Sequence, residues 1–155
     1  MIDDLYSAKV LALAANMPRA GRLATPDASS EKTAKLCGSK IIVDVAVDGE
    51  GRVSDFAQDV KACALGQAAA AVLGANVVGA SSVEIDAARD ALYAMLKNGG
   101  PAPVGRFADL AMLAPVKDYP PRHASTMLAF EAASEAVRNA MVAQAATRTS
   151  RAGAA

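Results

Sequence analysis

Cys37 and Cys63 are the residues of this 155-residue chain best placed to do chemistry. Cys37 stands in Leu36-Cys37-Gly38-Ser39, at a turn between two strand-like runs. Cys63 stands in Lys61-Ala62-Cys63-Ala64-Leu65, where a strand-like run gives way to an alanine-rich helix. Thiols at loop edges and helix starts can be reached, and a helix start favours the thiolate through its dipole and free N–H groups. The thiolate is the form that attacks sulfur and binds metal. His123, the one histidine, lies in Pro120-Pro121-Arg122-His123-Ala124-Ser125 at the head of the last helical stretch, and imidazole suits zinc and iron. Arg122 beside it, like Lys61 two residues before Cys63, has the charge to stabilise an anionic sulfur. The plain alternatives stay open: two small buried hydrophobes, a solvent-facing histidine and a surface ion pair.

The elements that must position these residues are legible from periodicity. Residues 2–16 read as a helix with Leu5, Ala8, Ala12 and Ala15 on one stripe and Asp3 and Asp4 in its first turn, ended by Asn16-Met17-Pro18. Residues 24–30 read as loop. Three strands follow: Thr33 to Leu36, residues 40–48 with Ile41, Val43, Val45 and Val47 alternating, and Arg52 to Val60 beyond the Asp48-Gly49-Glu50-Gly51 turn. Short connections imply an antiparallel meander covered by helices on one face. Cys63 to about Val77 is an apolar helix closed by Gly79. Ser81-Ser82-Val83-Glu84 is a capping box, opening a helix with Ile85, Ala88, Leu92, Met95 and Leu96 inward and a stop at Asn98-Gly99-Gly100. A Gly/Pro loop over 99–106, a short helix from Phe107 to Leu113 and an extended link from Pro115 to Pro121 lead to the last helix. That helix spans about Arg122 to Ala145, with Met127, Phe130, Ala133, Val137 and Met141 inward. The fold class is α+β: a three-stranded antiparallel sheet packed against about five helices on one side. The domain spans 1–146, and 147–155 reads as a disordered tail.

Whole-chain quantities restrict the function classes. Lys+Arg and Asp+Glu are both 16, so no net field draws the chain to nucleic acid or a membrane surface. No apolar run approaches the roughly 20 residues of a membrane span, and the acidic N-terminus lacks a secretory pattern. Two cysteines are too few for a disulfide framework, and a cytoplasmic, reducing setting is expected. There is no phosphate-binding glycine loop and no Ser/His/Asp order of a hydrolase.

In four places the chain resembles the IscU/NifU/SufU iron–sulfur cluster assembly scaffolds, over about residues 5–140. A tyrosine helix followed by Pro-Arg-x-x-Gly-x-Leu is echoed by Tyr6 and Pro18-Arg19-Ala20-Gly21-Arg22-Leu23, one residue shorter. Cys-Gly-Asp before a strand is echoed by Cys37-Gly38-Ser39, and Gly-Cys-Ala/Ser-Ile at a helix start by Ala62-Cys63-Ala64-Leu65. Pro-x-Arg-x-x-Cys-Ala-x-Leu at the last helix is echoed by Pro120 to Leu128, and Gly99 to Lys117 is similar to the insertion of the SufU branch.

The resemblance implies a scaffold, not an enzyme in the ordinary sense, that takes persulfide sulfur from a cysteine desulfurase. It would hold iron or a nascent cluster transiently and pass it to acceptor or carrier proteins. Cys37 would be the mobile persulfide acceptor and Cys63 the anchor, both binding metal, with His123 as a candidate third ligand. The family's aspartate and third cysteine are here Ser39 and Ser125, poor ligands beside thiolate, imidazole or carboxylate. Two thiolates per chain still make a four-thiolate site if two subunits share it as a homodimer. Two other readings stay open: a metal-free adaptor or regulator that binds the desulfurase, and a zinc-dependent sulfurtransferase of the SufU kind.

Overall fold

The central strand is built by alternation. The computed structural model describes residues 6–36 and 38–154, with side chains through residue 147; Cys37 and the expected helix start at Asp3, Asp4 and Leu5 lie outside them. Strand β1 is Ala28–Ala34, β2 is Ser39–Val47 and β3 is Val53–Lys61, in the order β1-β2-β3, both pairings antiparallel. Ile41, Val43 and Val45 of β2 are fully buried on one face, and helices cover that face as expected.

Helix α1 is Ala8–Ala15, α2 is Ala64–Asn76, α3 is Ser82–Asn98 and α4 is His123–Ala154. Helix α4 lies across β1 and β2, α2 and α3 flank it, and α1 packs on α2. Among the described residues, no helix is long and apolar enough to cross a membrane. The capping box of α3 forms in full: the Ser81 hydroxyl accepts from the Glu84 N–H while the Glu84 carboxylate takes the Ser81 N–H. Gly99 closes the helix at φ 67°, a left-handed conformation that suits glycine. All five residues read as its inward stripe are buried.

Several boundaries differ from the sequence reading, each for a physical reason. Strand β1 starts at Ala28, inside the expected loop, and does not reach Leu36, which is 84% exposed. It lacks an apolar alternation because its inward contacts to α4 are partly polar: the Ser30 hydroxyl donates to Glu135, which also pairs with Lys32. Helix α1 begins later, with Ser7 as its cap, and buries Val10 with Leu13 and Met17 beside it; the predicted Ala8, Ala12 and Ala15 stripe is exposed. Larger side chains win the core because they remove more apolar area from water. Met141 is 37% exposed, unlike the other four residues expected inward on α4. Helix α4 also continues through the stretch read as a tail.

The largest difference is at Gly105–Asp118, a run of 3₁₀ turns broken by a kink at Phe107 (φ −108°, ψ 26°), where a short helix and an extended link were expected. A 3₁₀ helix has three residues per turn, so Phe107, Leu110, Leu113 and Val116 fall in line, and all four are buried. Phe107 meets Phe130 of α4 edge to face, with centroids 5.3 Å apart. The Arg106 guanidinium donates to Glu84 and to the carbonyls of Asn76, Val78 and Gly79, tying this segment to the end of α2.

Candidate functional site

One end of the sheet gathers the chemistry. In the register Lys40 faces Lys61, and Ser39 faces Ala34, so the β1–β2 turn and the end of β3 share an edge. The described neighbours of Cys37 in that turn, Leu36 and Gly38, are exposed. Cys63, two residues past β3, is the N-cap of α2 in extended geometry and makes no side-chain cap bond, leaving its sulfur for other partners. It is partly buried.

Its partner is Ser125, in the first turn of α4, with Cys63 Sγ 3.4 Å from Ser125 Oγ. Gly66 makes this approach feasible: a methyl group there would lie 2.9 Å from the Ser125 carbonyl oxygen and 2.9 Å from Ala62 Cβ. Both the serine and the glycine are buried, so the sulfur faces a hydroxyl with little access to water. That hydroxyl has one proton and two acceptors in reach. It donates to the Arg122 carbonyl at 3.2 Å, while Thr126 Oγ1 donates to the same carbonyl at 2.7 Å. A neutral thiol therefore donates to Ser125. An anionic sulfur draws the Ser125 proton to itself, and Thr126 still satisfies the carbonyl.

The other predicted residues are placed as follows. Ser39 is buried at the start of β2. Arg122 is partly exposed and contributes its carbonyl to the Ser125 turn. His123 is 4% exposed, not solvent-facing, and its Nε2 lies 2.9 Å and 3.2 Å from the carbonyl oxygens of Val116 and Lys117. Two carbonyl partners require Nε2 to carry the proton, and the buried Nδ1 has no hydrogen-bond partner. Two residues along a helix is a rotation of about 200°, so the structure does not bring His123 to the Ser125–Cys63 side. It lines a cavity of about 260 Å³ with Tyr93, Lys97 and Glu131 instead. Among the described residues no three His, Cys, Asp or Glu side chains group as a metal site.

Sequence reasoning missed the most elaborate polar cluster, on the opposite sheet face. Asp44, which the alternation of Ile41, Val43, Val45 and Val47 leaves on the other face of β2, is fully buried. Arg22 donates to it through Nε at 2.6 Å and Nη2 at 3.1 Å, and the Leu23 N–H and Ser29 hydroxyl add two more bonds. Burial pushes the Asp44 carboxyl up, but these donors outweigh it and hold the group below its ordinary value. The cluster pins the Pro18–Leu23 segment to the sheet, and Ala20 pairs with Gln58 on the edge of β3. Gln58 is fully buried and donates to the carbonyls of Ala70 and Pro18, clamping that segment to α2. An arginine twenty-two residues before a lone strand aspartate was the available signal.

These features define a small α+β scaffold that presents a thiol from a helix start beside a hairpin turn. The NifU-like N terminal domain family matches residues 5–126, and the chain belongs to that family, one of iron–sulfur cluster assembly scaffolds. A nitrogen-fixing NifU-like protein (N-terminal) from Brucella abortus is 51% identical over 90% of this chain and 96% of its own, with a TM-score of 0.88. A hypothetical protein is 24% identical over 88% of this chain and 98% of its own, at TM-score 0.77. A putative SUF-system scaffold from Fervidobacterium islandicum AW-1 is 19% identical over 86% and 96%, at 0.76. The latter two share the fold. No curated protein matches the chain.

Proposed function

We propose that the chain is a sulfur-accepting scaffold that holds iron–sulfur cargo on Cys37 and Cys63. A cysteine desulfurase is the sulfur donor, and downstream carrier proteins receive the product. The observation that carries this reading is Cys63 at the open N-cap of α2, on the sheet edge that also bears the turn around residue 37. Sulfur arrives when the Cys37 thiolate attacks the outer sulfur of the donor's persulfide. The donor's S–S bond breaks, a new one forms at Cys37, and the donor leaves as a thiolate with no net redox change. Cys63, fixed on its helix, anchors the cargo. With Ser39 and Ser125 in place of stronger ligands, a complete four-thiolate site needs two chains, and a homodimer supplies it.

The same two serines favour a second reading, a metal-free adaptor that docks on the desulfurase and regulates it. A zinc-dependent sulfurtransferase of the SufU kind is less well supported, since the ligand set offers two thiols where such a site needs more. Incubation with a cysteine desulfurase and cysteine labelled in its sulfur separates the readings. The scaffold reading expects label on the wild-type chain and its loss in Cys37→Ala. A chain that binds the desulfurase and takes no label is an adaptor.

A further inference from the structure

We infer that His123 and Met127 form a binding site for a soft monovalent metal ion of the copper(I) kind, between α3 and α4. The site owes nothing to Cys37 or Cys63, so it goes beyond the sulfur-accepting reading and does not rest on it. His123 is held as a ligating histidine is held. It is 4% exposed, and Nε2–H donates to the Val116 carbonyl at 2.9 Å and the Lys117 carbonyl at 3.2 Å. A backbone carbonyl on one ring nitrogen fixes the tautomer and the ring's orientation, and makes the other nitrogen a better donor to metal. That other nitrogen, Nδ1, is buried with no hydrogen-bond partner. It faces away from the two carbonyls, and the ring lines a cavity of about 260 Å³ between the end of α3 and the start of α4. An unpaired buried acceptor is costly, and an ion in the cavity removes that cost.

Met127 supplies the second donor. It follows His123 by one helical turn on α4, so the two side chains share a face with Cβ atoms about 5–6 Å apart. Helical side chains lean toward the helix N-terminus, which carries the Met127 thioether back over His123. Met127 is 5% exposed and lines the same cavity, and its flexible chain lets the sulfur turn to Nδ1. The donor set decides the ion. Among the described residues the cavity lining adds no thiolate and no second imidazole. An imidazole nitrogen with a thioether sulfur selects copper(I), which accepts few ligands, whereas zinc calls for a fuller set. Charge agrees. Glu131, a further turn along α4 at the cavity's rim, has its carboxyl pushed up by partial desolvation against the pull of Lys32 and Arg89, and a nearby cation relieves that. Lys97, the cavity's own cation, is drawn over the Tyr93 ring at 5.9 Å.

The test uses the full chain with Cys37→Ala and Cys63→Ala, which removes the competing thiols. Copper(I) is titrated without oxygen against a chromophoric copper(I) chelator, and this parent should take one ion per chain. His123→Gln, whose amide still donates to the Val116 and Lys117 carbonyls but lacks Nδ1, should bind at least about tenfold more weakly. Met127→Leu, which keeps the volume without the sulfur, should lose about as much. A parent that draws no copper from the chelator would overturn the inference, as would either variant matching the parent. Displacement of the copper by an equal concentration of zinc would overturn the choice of a soft ion. Should His123→Gln not fold, silver(I), a redox-inert stand-in, is titrated into the parent and followed through the methionine methyl signals in NMR. The Met127 signal, assigned by its loss in Met127→Leu, should shift most among the methionines, and an unmoved signal contradicts the site. None of these outcomes bears on sulfur delivery to Cys37, which the sulfur-label incubation reads separately.

Discussion

Replacing Ser125 with cysteine should turn a single-thiol corner into a metal-binding pair. Two sulfurs on one tetrahedral zinc, each about 2.3 Å from the metal, stand about 3.8 Å apart. Cys63 Sγ already lies 3.4 Å from the Ser125 oxygen, so a sulfur there needs only a few tenths of an ångström of adjustment. Zinc binding by four-ligand protein sites is worth about 10–16 kcal/mol, or roughly 3 kcal/mol per ligand. Ser125 is fully enclosed, so the larger sulfur costs about 1 kcal/mol in crowding. The net gain of roughly 2 kcal/mol is about a thirtyfold tighter zinc Kd. Competition against a chromophoric chelator under reducing conditions measures it. An affinity within about threefold of wild type would refute the geometry. So would a gain that survives the added Cys63→Ala substitution, since the new thiol would then bind without its intended neighbour.

Other substitutions probe the frame around the site. Gly66→Ala gains about 1 kcal/mol of helix propensity, but its methyl meets a backbone oxygen at 2.9 Å; net destabilisation of about 1–2 kcal/mol is expected in urea unfolding. Phe107→Ala empties a fully packed position against Phe130 and should cost about 3–5 kcal/mol, lowering Tm by roughly 10 °C in calorimetry. Asp44 has a depressed carboxyl, so its contribution is complete above the 3.8 of an unconstrained aspartate and is lost as pH falls through the lower folded value. Asp44→Asn should therefore lower stability at pH 7 by about 1–3 kcal/mol and flatten the acid limb of the stability–pH curve; an unchanged acid limb would place the acid sensitivity elsewhere.

The parts of the fold that could be read in advance are those where one local rule decides. Valine and isoleucine at every second position made β2 a strand, and Ser81 with Glu84 located the start of α3, because alternation and capping act within a few residues. Strand β1 was hidden because Ser30 is satisfied by Glu135, 105 residues away, so its buried face is not apolar. The buried line of Phe107, Leu110, Leu113 and Val116 was hidden by its three-residue period, which suits neither α-helix nor strand. At the site, the helix-start position of Cys63 was legible, because the change from strand to helix is printed in the alanines that follow. The closeness of Ser125 came from the order of motifs borrowed by resemblance, while its distance depends on Gly66, which no pattern singled out. His123 was open between a metal ligand and a solvent-facing group, and its burial was not legible because single-residue propensity does not see the two carbonyls its Nε2 faces.

The most direct measurement of the central claim is iron and sulfide bound per chain after anaerobic reconstitution, with the visible absorption spectrum, for wild type, Cys37→Ala and Cys63→Ala. Cargo shared by both thiols predicts a coloured wild type and two colourless variants. Iron at background in the wild type, or full colour in Cys63→Ala, would contradict it.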